Sequence, residues 1–115
     1  MAATKRIERL QIRIKEELAQ IITKEFDFNP GVLVTVTRSE VSDDLTAVRI
    51  YLSVYPEKET EGILDILQKQ IYFIQQIFNK RMEMRPVPRI RFVLDESVRE
   101  ADKIERSLYD LKNKA

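Results

Sequence analysis

The stretch "TAVRIYLSVY", Thr46 to Tyr55, says most about the architecture. Val48, Ile50, Leu52 and Val54 fall on one side of an extended chain, and Ala47, Arg49, Tyr51, Ser53 and Tyr55 fall on the other. A strand with one apolar face and one polar face needs a partner layer on the apolar side only. It therefore predicts a sheet covered by helices on one face.

Upstream, "VLVTVTR", Val32 to Arg38, is rich in β-branched residues and reads as a first strand. "SEVSDDL" between the two runs is turn-like, with Ser42 to Asp44 at the tip, so the pair forms an antiparallel ribbon. Before them, Ile7, Leu10, Ile14, Leu18, Ile21 and Ile22 recur at three- and four-residue steps, predicting a helix from about Thr4 to Phe26. "FNPG" ends it, because Pro30 disfavours helical backbone at Asn29 and Gly31 permits a turn.

Downstream of "PEKETEG", the set Ile63, Leu67, Ile71, Ile74, Phe78 and Met82 predicts helical structure over about Thr60 to Glu83, as one helix or two joined at a kink. Pro86 and Pro88 stop it, and both are tolerated beside an edge strand, which "RIRFVL" supplies with Ile90, Phe92 and Leu94 opposite Arg89, Arg91 and Val93. Ser97 and Glu100 form an S-x-x-E capping box ahead of a last helix, about Ser97 to Leu111. The order is helix, strand, strand, long helical segment, strand, helix, an α+β pattern with helices on one face of a small sheet. With 115 residues and no linker, one domain spanning 1–115 is expected.

Composition narrows the chemistry. No apolar run approaches the ~20 residues that span a bilayer, and the N-terminus has no leader-like apolar core, so a soluble cytoplasmic protein is expected, with no membrane partner. There is no Cys and no His, which removes thiolate chemistry and the commonest metal ligand and general base. Asp43/Asp44 and Asp95/Glu96 are the adjacent carboxylate pairs that invite a catalytic reading, and neighbours in sequence point apart; a turn and a helix start suit them better. The two glycines, Gly31 and Gly62, are too far apart for a phosphate cradle. The expectation is a non-enzyme with no metal, no cofactor and no small-molecule substrate, working as a monomer.

What remains is charge. The formal net charge is +1, yet it is segregated. Residues 40–65 hold seven acids against Arg49 and Lys58; residues 80–91 hold Lys80, Arg81, Arg85, Arg89 and Arg91 against Glu83 alone. On the first helix, Arg9 and Arg13 share a face with Lys5, and Arg6 lies alongside. The candidate RNA-binding residues are Arg6, Arg9, Arg13, Lys80, Arg81, Arg85, Arg89 and Arg91, expected to lie together on one exposed side. Clustered guanidinium groups gain from phosphate through counterion release and bidentate contacts, although a solvated helix face would give the same counts for helix 1. Tyr51, Tyr55 and Tyr72 suit the rim of the core better than base stacking, and Phe73, Phe78 and Phe92 suit the core itself.

"SEVSDDLTAVRIYLSVY", "FIQQIFNKRMEMRPVPRIRFVLDES" and the arginine-bearing first helix together resemble the ribosome-binding factor A family of bacterial small-subunit assembly factors. The most specific pieces are Ser42-x-Asp44-Leu45 before an alternating strand, and Arg85-x-Val87-Pro88-x-Ile90-x-Phe92 followed by Asp95. The resemblance implies a type II KH-like fold with the second strand central and parallel to the third. It also implies binding to the immature small ribosomal subunit and its rRNA late in assembly and rRNA processing, with greatest need in the cold. The family's small residue and glycine at the interhelical kink are replaced here by Gln70-Ile71-Tyr72, so no interhelical contact is transferred. The rival reading is a KH-like interaction module whose basic face meets an acidic protein.

Overall fold

A computed structural model describes residues 2–97. Helix α1 (Ala2–Glu25) is followed by strands β1 (Leu33–Val41) and β2 (Ala47–Tyr55), helices α2 (Thr60–Lys69) and α3 (Ile71–Arg81), and strand β3 (Arg89–Leu94). The sheet order is β1-β2-β3, with β1 antiparallel and β3 parallel to β2. The predicted last helix, about Ser97 to Leu111, lies outside the described residues beyond its start, where Glu96 and Ser97 have helical geometry.

One side of the sheet faces the core. Val48, Ile50, Leu52 and Val54 of β2 and Ile90 and Phe92 of β3 are buried against Ile14, Leu18 and Ile21 of α1, Ile63 and Leu67 of α2, and Ile74 and Phe78 of α3. This is the inner face that the alternation of β2 predicts. Phe73 departs from expectation: it is 44% exposed, because α3 turns Ile71, Ile74, Ile77 and Phe78 toward the core and Phe73 lies on the flank.

β1 runs three residues further than its β-branched run suggests, to Val41. Pairing with β2 carries it on, and α1 supplies what the polar residues need: the Ser39 hydroxyl donates to the Gln11 carbonyl, and the Val41 N–H donates to Gln11 Oε1 at 3.0 Å. The register slips between Val36 and Arg38, where Thr37 is the extra residue of a bulge. This slip turns Ser39 and Val41 inward and leaves Arg38 and Glu40 on the outer face.

The two turns follow sequence chemistry. Val32 N–H donates to the Asn29 carbonyl at 3.0 Å across Pro30 and Gly31, and Gly31 takes φ +88°. That is the pattern of proline then glycine in a type II turn. In the β1–β2 turn, Asp44 Oδ1 accepts from the Ser42 hydroxyl (2.8 Å), the Thr46 hydroxyl (2.7 Å) and the Thr46 N–H (3.1 Å), while Ser42 Oγ accepts from the Ala47 N–H. Leu45 sits at φ +61°, and its side chain packs against the core, which explains a leucine at a position that glycine would otherwise favour.

Between α2 and α3 the kink is a single residue. Gln70 (φ −100°, ψ 12°) donates its N–H back to the Ile66 carbonyl, and its own carbonyl accepts from the Ile74 N–H, so one residue ends the first helix and starts the second. No glycine is needed, because φ stays negative.

Candidate nucleic-acid interface

The expected single basic surface is divided by the fold. α1 lies along β1 and touches α3, and its Glu17 and Gln20 meet Arg81: the guanidinium donates to Glu17 Oε2 and to Gln20 Oε1, both at 3.0 Å. Arg13 lies one turn before Glu17 and two turns before Gln20, and Arg9 and Arg6 continue along the same flank. The basic flank of α1 is therefore the one next to α3, in the helix layer. Arg6, Arg9, Arg13 and Lys80 are all exposed there.

Arg89 and Arg91 are on the opposite side. They alternate with buried Ile90 and Phe92, so they project from the sheet face that carries no helix among the described residues. Arg85 is exposed in the connection from α3 to β3, beside Asn79, Pro86 and Val87. That connection ends in a buried Pro88, and Gln75 of α3 fastens it: Nε2 donates to the Pro88 carbonyl and Oε1 accepts from the Ile90 N–H. Gln75 thus satisfies part of the outer edge of β3 and fixes where Arg89 and Arg91 begin.

Of the eight candidate residues, Arg81 differs. Its side chain is 25% exposed and bound to a carboxylate and an amide, so its charge ties α3 to α1. The other seven have no carboxylate within ion-pair distance among the described residues.

Sequence reasoning misses two more arginines of the outer face. Arg49 lies directly across from Arg91 on one side and Glu40 on the other, with 3.6 Å to the Glu40 carboxylate. Arg38 lies across from Tyr51, its guanidinium carbon 3.8 Å from the ring centroid. The strand 2 alternation puts Arg49 with Tyr51, but only the bulge at Thr37 brings Arg38 to them. Tyr51 is half-buried under that guanidinium, whereas Tyr55 and Tyr72 are open to solvent at 68% and 75% exposure, further out than a core rim.

The two acidic candidates have structural partners. Asp44 holds the turn described above, and the hydroxyls of Thr46 and then Ser42 lower its carboxyl below the ordinary range. Asp95 is buried; its Oδ1 accepts from the Ser97 hydroxyl and N–H, its Oδ2 accepts from the Thr37 hydroxyl, and its own N–H donates to the Leu52 carbonyl. The Ser97 hydroxyl, then the Thr37 hydroxyl, pull its pKa down against the opposing effect of burial. Asp95 is thus an accepting side chain where the helical geometry starts, while Glu100, the other member of the expected capping box, lies outside the described residues.

At the kink both backbone groups of Gln70 are used within the helices, so its peptide N–H is not free to meet an anion.

The sequence profile of ribosome-binding factor A matches residues 6–108. Among curated relatives, ribosome-binding factor A of Macrococcus caseolyticus is 39% identical over 108 residues, covering 92% of this chain and 94% of the relative. That of Bdellovibrio bacteriovorus is 32% identical, covering 96% and 84%. The crystal structure of ribosome-binding factor A from Thermus thermophilus superposes with a TM-score of 0.66 at 26% identity, covering 76% of this chain and 93% of that one. A Thermus thermophilus ribosome binding factor A homology model, fitted into a cryo-EM map of a 30S complex with that factor, gives 0.65 at the same identity and coverage. The profile match over most of the chain, the level of identity and the shared strand order together place this chain in the ribosome-binding factor A family.

Proposed function

We propose that this protein binds the immature small ribosomal subunit during late assembly and rRNA processing, through phosphate contacts made by exposed basic side chains. It acts in the cytoplasm as a monomer and does no chemistry of its own. The observation that carries the reading is the set of exposed cations, Arg6, Arg9, Arg13, Lys80, Arg85, Arg89 and Arg91, left without carboxylate partners among the described residues of a chain whose net charge is only +1. Such groups gain little from one another and much from a polyanion, which releases its counterions on contact. Arg81 belongs to the fold first, and its contribution to RNA is secondary.

Family membership supports this partner, since a homology model of the Thermus thermophilus factor has been fitted into the map of a 30S complex. Sedimentation of a cell extract, with detection of this protein across the gradient, tests the reading. It should travel with free small subunits and be absent from translating ribosomes. A protein confined to the top of the gradient at low salt overturns the proposal.

A further inference from the structure

We infer that the outer face of the sheet is a second RNA-contact surface, so that one chain holds two RNA segments at once, on opposite sides of the sheet. The inference rests on the RNA-binding reading above and goes beyond it in number and place of contacts.

The outer face is built in rows. Glu40, Arg49 and Arg91 are cross-strand neighbours in one row, Arg38, Tyr51 and Val93 in the next, and Arg89 stands two residues before Arg91 on the same side. Neighbouring strands are about 4.8 Å apart, so Arg49 and Arg91 are held side by side. Like charges directly opposite each other destabilise a sheet. Glu40 offsets one of them at 3.6 Å, Asp95 acts on Arg38, and Arg89 and Arg91 have no carboxylate at ion-pair distance among the described residues. Repulsion that the fold leaves in place is relieved by an external anion.

Arg38 adds a second kind of contact. Lying 3.8 Å over the Tyr51 ring, its guanidinium is a flat, cationic surface held by a ring, the type of platform on which an unpaired base stacks. The pairing of flat cation and neighbouring phosphate-binding arginines favours single-stranded RNA over an acidic protein. At the other end of this face, Leu33 and Tyr55 stand opposite each other and both are exposed, so the basic part is confined to the end near the β1–β2 turn.

The α1 flank with Arg6, Arg9 and Arg13 lies in the helix layer on the other side of the core. A single RNA segment following both surfaces has to pass around the sheet. Two segments can each take one.

The test neutralises each face separately in the full chain: Arg49→Gln with Arg89→Gln and Arg91→Gln on the sheet, and Arg6→Gln with Arg9→Gln and Arg13→Gln on α1. Binding of a short unstructured RNA is titrated from about 50 to 200 mM salt. Energy transfer between donor-labelled and acceptor-labelled copies of that RNA reports bridging by one chain, with sedimentation showing that the protein stays monomeric. Wild type should bind two RNAs and give transfer. Each triple variant should bind one, lose transfer, and flatten the log–log salt slope by about 2, as expected for three lost phosphate contacts on a single strand. Arg91→Lys, which keeps the charge, should keep the slope, and unchanged melting profiles exclude misfolding as the cause.

A wild type that binds one RNA without transfer overturns the inference. So does a sheet variant matching wild type in slope while the α1 variant loses binding, and in that case the function proposed above still stands. If neither variant changes binding to isolated small subunits, both readings fall.

Discussion

Arg81 and Arg91 come from the same basic run, ten residues apart, and the fold gives them opposite work. Arg81 ends α3, facing α1, where Glu17 and Gln20 take its guanidinium and only a quarter of the side chain stays exposed. Arg91 stands on the outer sheet face beside another arginine, with no carboxylate partner among the described residues. The difference shows that closeness in sequence does not make a patch: seven residues of connection, 82–88, carry the chain from the helix layer to the sheet and turn its charges to the other side.

Substitutions can test this contrast, and the largest effect should come from the residue that anchors the sheet on which Arg91 stands. Asp95→Ala removes a buried carboxylate that joins Thr37 of β1 to the start of the helical geometry at Glu96, and should cost about 2–3 kcal/mol by urea unfolding. Its pKa is lowered in the fold, so its contribution to stability is present above the unfolded value of about 3.9 and is lost as pH falls through the folded value. Asp95→Asn should accordingly flatten the loss of stability of the wild type in that acid range. An unchanged acid limb would mean that Asp95 anchors nothing through its charge.

Arg81→Gln comes next. Breaking a partly buried pair should cost about 1–2 kcal/mol, and Glu17→Gln should cost a similar amount, with the double variant less destabilised than the sum of the two. A cycle with no coupling would mean that Arg81 is as free as Arg91. Asp44→Ala should lower the urea midpoint by less than Arg81→Gln does, through loss of the turn bonds to Ser42 and Thr46. Smallest in stability is Arg91→Gln, within about 0.5 kcal/mol of wild type, because the side chain is exposed and its loss relieves Arg49. On RNA the ranking should reverse, with Arg91→Gln lowering the salt slope more than Arg81→Gln does.

Much of the fold is legible in the sequence because it follows local rules. The alternation of β2 sets the inner face, Pro30-Gly31 sets a turn that Asn29 and Val32 close, and the spacing of Ile14, Leu18 and Ile21 sets the buried stripe of α1. Periodicity leaves the kink at Gln70 open, since a single residue with negative φ leaves no mark in the sequence. Phe73 is misread because an aromatic residue next to a core stripe does not announce which flank it occupies. For the interface, residue types are legible and their grouping is not: Arg38 and Arg49 escape notice, and Arg81 counts with residues on a different face.

Taken alone, the amino-acid order specifies the element types, the inner face of the sheet, the turn chemistry of Ser42 to Leu45, and an excess of arginine with little acidic nearby in the chain. Which arginines are used within the fold, and which face outward together, is settled by three-dimensional packing. The reason is physical: secondary structure answers to neighbours within a few residues, whereas a charge answers to whatever lies within a few ångströms, and β-pairing, the Thr37 bulge and the α1–α3 contact bring those groups from distant parts of the chain.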